Sequence, residues 1–78
     1  MRNGISEARE RLNKIKYYHE HAGANGYSQA MFYYGELGKI YKKANKNDAP
    51  IIHIFYKEAT TLMDEMKKLS EDFDTENQ

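Results

Sequence analysis

Seventy-eight residues make one domain, near the lower limit for independent folding, where only about 60% of the unfolded chain's surface is buried. Twelve basic and twelve acidic side chains cancel, which argues against a field strong enough to recruit duplex nucleic acid or anionic lipid. There is no cysteine, so neither a disulfide nor a Cys-ligated zinc can staple a core that rarely supplies more than about 3–5 kcal/mol by itself. Efficient helix packing or self-association must do that work.

The first six residues lack the apolar run of a signal peptide, and no stretch approaches membrane-spanning length, so the expected location is cytoplasmic with no membrane partner. Seven tyrosines without a tryptophan, in a Lys/Asn/Ile-rich background, fit the coding bias of an AT-rich bacterial or phage genome.

In chain order, Ile5, Ala8, Leu12 and Ile15 recur at three- and four-residue spacing, continued by His19 and Ala22. This is one face of an amphipathic helix over about 5–22, with Ser6 as the expected N-cap. Gly23 and Gly26 bracket a turn. A second stripe, Tyr27, Ala30, Tyr34, Leu37, Tyr41 and Ala44, predicts a helix over about 27–45. Asn45-Lys46-Asn47-Asp48 ends it. Asp48 or Ala49 then caps a third helix over about 49–73, with Pro50 in its first turn, where a missing amide costs little. Its stripe is Ile52, Phe55, Ala59, Leu62, Met66, Leu69 and Phe73, and residues 74–78 are expected to fray. Three such stripes with short connections and no β-signal predict an all-α, antiparallel three-helix bundle.

The second helix carries more than a small core needs. Met31, Phe32, Tyr33 and Ile40 lie off its stripe, and Gly35 and Gly38 interrupt it, each costing about 0.8–1 kcal/mol against alanine. Met31, Gly35, Gly38 and Lys42 follow one side of the helix as a shallow track on which another helix or ring could lie close to backbone. The same glycines could instead let the first or third helix pack tightly within the monomer. The third helix adds Ile51, Ile54 and Tyr56 off its own stripe. The candidate partner-binding set is therefore Met31, Phe32, Tyr33, Gly35, Gly38, Ile40, Lys42, Ile51, Ile54 and Tyr56, read as one surplus apolar face of the second and third helices.

Other chemistry is thin. His19 and His21 point about 200° apart on a helix, so they do not share a metal, and the expectation is no metal and no cofactor. Asp64 and Glu65 suit ordinary helix pairs with Lys67 or Lys68. Lys39, Lys42, Lys43 and Lys46 complement the end of the second helix dipole. With Tyr33 and Tyr41 they could also hold a small anion, a nucleotide or an acidic peptide. No phosphate loop, nucleophile elbow or paired-carboxylate pocket is present, so the chain is not expected to be an enzyme.

Gly26-Tyr27-Ser28-Gln29-Ala30-Met31-Phe32-Tyr33-Tyr34 matches Gly-Tyr-x-x-Ala-x-x-x-Tyr and resembles the second helix of microtubule-interacting-and-trafficking (MIT) domains, and more loosely a tetratricopeptide helix. Phe55, Ala59 and Leu62 resemble the aromatic–Ala–Leu spacing of the MIT third helix, so the similarity covers roughly residues 6–72. Gly35, Gly38 and Glu58 depart from that pattern. The resemblance implies a short peptide bound in a groove beside the third helix. The expected function is a non-enzymatic protein–protein interaction module, of the kind that inhibits or sequesters a larger machine. An oligomeric nucleotide sponge and a structural homo-oligomer are the alternatives left open.

Overall fold

A computed structural model describes residues 4–76, with side chains through 71. Three α-helices, α1 (Gly4–His21), α2 (Tyr27–Lys43) and α3 (Ala49–Glu76), pack pairwise into an all-α bundle 48 × 18 × 15 Å in extent. α1 and α3 run the same way, since Arg9 lies over the Phe55 ring, Lys16 pairs with Glu58 and His19 bonds to Glu65. α2 runs against both.

α1 buries Ala8, Leu12 and Ile15, the predicted stripe, with Ile5 partly covered. Among the described residues it begins at Gly4, so Ser6 lies within the first turn and is not its cap. Glu7 in the first turn complements the dipole. The Ala22 amide donates to the Tyr18 carbonyl at 2.9 Å, and Gly23 follows with φ of 53°, a left-handed value that favours glycine. A short 3-10 turn, Gly23–Gly26, then reverses the chain. Gly26 is buried there. A Cβ on it would stand 2.9 Å from the Ala22 Cβ, 3.0 Å from the Tyr18 Cβ and 3.2 Å from the Tyr18 carbonyl oxygen. This is the glycine that internal packing requires.

α2 buries Ala30 and Leu37, flanked by half-buried tyrosines. After Ala44 leaves the helix at ψ 143°, the Asn45 Oδ1 accepts the Asp48 amide at 2.8 Å, and the Asp48 carbonyl accepts the Ile51 and Ile52 amides. Asp48 is thus the residue preceding α3, but its carboxylate faces Asn45 Nδ2 at 3.4 Å and caps no amide.

α3 buries Ile52, Ala59, Met63 and Met66. Two stripe positions shift. Leu62 is only half-buried and Leu69 is 49% exposed, whereas Met63, off the predicted stripe, is in the core. The cause is that α3 faces two neighbours at once. Phe55 and Leu62 cover its α1 flank, while Tyr56 and Met63 cover its α2 flank, so the wetted stripe and the dry one differ by a residue. The Phe73 side chain lies outside the described residues. The helix itself continues to Glu76, past the expected fraying point, while residues 77 and 78 lie outside the description.

At 1.5 Å per residue α3 is about 42 Å long against about 26 Å for its neighbours. Met66 is its last buried residue among those described, the 3-10 turn packs against α3 and Ser70 is still half-covered. The helix then runs on past the bundle end, about ten residues or about 15 Å from Met66 to Glu76. None of residues 67–71 is buried.

Candidate functional site

The two flanks of α2 are built differently. Toward α1, the Tyr33 ring stacks on Tyr18 at 6.1 Å, Phe32 meets Tyr33 edge-on at 5.2 Å, and Tyr17 meets Tyr18 edge-on at 5.5 Å. Ile40 lies on the same flank, next to Gly4 at the other end of α1. Toward α3, an aromatic ladder crosses the helix interface. Tyr34 stacks on Tyr56 at 5.0 Å, Tyr56 reaches Tyr41 at 5.7 Å, and Tyr41 stacks on His53 at 5.5 Å. Such pairs add about 0.5–1.5 kcal/mol beyond burial.

The ladder is pinned by hydroxyls. Thr60 Oγ1 donates to the Tyr56 carbonyl at 2.9 Å, which leaves its lone pairs to accept the Tyr34 hydroxyl at 2.7 Å. Hydrogen bonding with the Tyr34 side chain, then partial desolvation, then repulsion from Tyr34 hold the Tyr56 phenol above its ordinary value of 10.0.

Outside the ladder lies an open groove of about 470 Å³, floored by Tyr34, Tyr41, Tyr56, Gly35 and Gly38 and edged by Lys39 and Lys42. A Cβ on Gly35 would meet nothing within 4 Å, and one on Gly38 would make only ordinary contact, 3.5 Å from the Tyr56 ring. Neither glycine is demanded by packing inside the monomer. Their absent side chains leave backbone bare at the groove. Lys39, Lys42, Lys43 and Lys46 are exposed, and among the described residues none lies within ion-pair distance of a carboxylate.

The sequence-derived set therefore divides. Gly35, Gly38, Lys42 and Tyr56 meet at the groove, and Met31, exposed, continues their side of α2. Tyr33 and Ile40 are half-buried against the core on the α1 flank, and Phe32, 63% exposed, joins them through Tyr33. Ile51 and Ile54 share the α3 flank of Glu58 and Phe55, which faces α1. The single helix 2–helix 3 face expected from sequence is thus two surfaces, because a helical offset of one or two residues moves a side chain to the opposite flank. Tyr33 also parts from the lysines it was expected to accompany. Lys39 and Tyr41 come from the lysine and tyrosine patch that the sequence offered as an anion site, whereas Tyr34 in the groove and His53 beside it were missed as candidates. Tyr34 and Tyr41, seven apart on α2, and His53, Tyr56 and Thr60, spaced three and four on α3, carried the signal.

Elsewhere the chemistry is sparse. His19 Nε2 lies 2.8 Å from Glu65, so that carboxylate reaches across to α1 instead of pairing along its own helix, and the exposed His21 ring rests on Tyr17 at 4.6 Å. Among the described residues no three His, Asp or Glu side chains come together as a metal site, and no helix is long and apolar enough to cross a membrane. Comparison with protein families, with curated proteins and with solved structures returned no match, so the MIT resemblance rests on the residues that carry it.

Proposed function

We propose that the protein is a non-enzymatic interaction module that docks an acidic segment of a partner protein in the α2/α3 groove. The observation that carries this reading is Gly35: a helix-interior glycine whose missing side chain serves no contact inside the molecule. Retaining it sacrifices about 0.8–1 kcal/mol of helix propensity. A close external approach to the α2 backbone gives that sacrifice a use. The aromatic floor offers rigid apolar contact area, and the unpaired lysines at its edge favour a negatively charged occupant. The MIT resemblance, which puts a bound peptide beside the third helix, points the same way. Such a module acts by occupying a surface of a larger machine, as an inhibitor or sequestering subunit does, and needs no cofactor.

Affinity capture from the source cell tests it, with wild type, Gly35→Ala and Phe32→Ala as parallel baits. A partner retained by wild type and Phe32→Ala but lost from Gly35→Ala supports the groove. A partner retained equally by all three, or lost only with Phe32→Ala, places the contact elsewhere.

A further inference from the structure

The chain carries an acidic helical segment of its own, and it stands where the groove of the same molecule cannot use it. Residues 71–76, Glu-Asp-Phe-Asp-Thr-Glu, hold four carboxylates and no basic residue, and they form the end of the α3 projection. The unpaired lysines gather at the other end of the 48 Å rod, where α2 finishes and α3 begins. Lys67 and Lys68 open the projection, so its negative charge is concentrated in those last six residues.

We propose that the groove is filled by the α3 projection of a second copy, in a reciprocal antiparallel dimer. This rests on the reading of the groove as a docking surface and names its occupant. Two rods side by side and reversed bring each acidic end onto the lysine end of the other, so one twofold axis satisfies both contacts at once. The projection has the length for it, about 15 Å of helix, roughly three turns. It also has the need. Leu69 stays half-exposed because α1 and α2 end before it, and a helix of about ten residues without a packing face is marginal in water. Bare backbone at Gly35 and Gly38 lets the incoming helix lie close to α2, over the Tyr34, Tyr41 and Tyr56 rings. The opposed charges set its direction.

Light scattering over a wide concentration range, with charge reversals, tests this on the full chain. Wild type is expected to approach twice its 9.2 kDa mass and to dissociate as salt is raised. Lys39→Glu/Lys42→Glu and Asp72→Lys/Asp74→Lys should each run as monomers with helix content retained by circular dichroism. Mixed in equal amounts they should recover the dimer, because each reversed groove then meets a reversed projection. Wild type monomeric at every concentration overturns the dimer, as does a dimer indifferent to both reversals, or two monomeric variants that do not pair. None of these failures bears on a foreign partner, whose loss from Gly35→Ala is read separately by affinity capture.

Discussion

The aromatic residues of α2 divide between two flanks, and the flanks solve opposite problems. On the α1 side, Tyr33, Tyr18 and Phe32 close over one another beside a turn so tight that Gly26 has no room for a Cβ. On the α3 side, Tyr34, Tyr41 and Tyr56 form an equally ordered ladder, yet two glycines keep its outer edge open. Glycine is present for space in both regions. In one, the molecule fills that space itself. In the other, among the described residues, only Tyr56 comes near, in ordinary contact with Gly38, and nothing reaches Gly35. The contrast teaches that composition alone does not distinguish a glycine enclosed by packing from one that faces open space, whereas the distance to the nearest neighbour does.

The largest expected effect tests which flank each α3 residue belongs to. Met63→Ala should lower stability by about 2–5 kcal/mol, as for a buried core side chain. Leu62→Ala should cost clearly less in urea unfolding, since Leu62 is half-buried on the α1 side. Equal losses would mean that α3 is rotated from the position described.

Next comes the tight turn. Gly26→Ala must push against two Cβ atoms and a backbone carbonyl, and overpacking of this kind costs about 1–3 kcal/mol. The thermal midpoint should fall by several degrees. An unchanged midpoint would show that the turn can open, and the two glycine regions would no longer differ in kind.

The open groove predicts the reverse sign. At concentrations where the chain is monomeric, Gly35→Ala should raise the thermal midpoint, stabilising by up to about 0.8–1 kcal/mol through helix propensity, because the new methyl meets nothing among the described residues. Gly38→Ala should behave similarly, given its ordinary contact with Tyr56. Destabilisation of the monomer by either would return these glycines to internal packing and remove the observation on which the proposed function stands.

The smallest effect is a pH dependence. Tyr56 in the folded state holds its proton more tightly than the ordinary value of 10.0, so its contribution is complete below that pH and is lost as pH rises through the higher folded value. The wild-type urea midpoint should therefore drop more between pH 8 and pH 11 than that of Tyr56→Phe, which has no phenol to ionise. Identical drops would disconnect the ladder's hydroxyls from stability.

Much of the fold could be read from the order of residues. The stripe Ala8, Leu12, Ile15 and the pair Ala30, Leu37 are buried as their spacing implied, and the helices begin and end within a few residues of the signals at Gly23, Asn45 and Pro50. The site was legible only in part. Gly35 and Gly38 stood out because a helix-interior glycine is locally unfavourable whatever surrounds it. Grouping them with Tyr33, Ile40, Ile51 and Ile54 failed, because period alone tells which residues share a face and not which neighbour that face meets.

What the sequence by itself determined is therefore local: amphipathic period, capping and turn chemistry, and the propensity cost of a glycine all act within a few residues, and three helices follow from them. What only the tertiary structure decided is relational. The shift of burial from Leu62 to Met63, the closure over Gly26, the openness over Gly35 and the parting of Tyr33 from Tyr34 to opposite flanks each depend on how α1 and α3 are set around α2. That setting is fixed by many weak contacts between residues far apart in the chain, and no single stretch of sequence contains them.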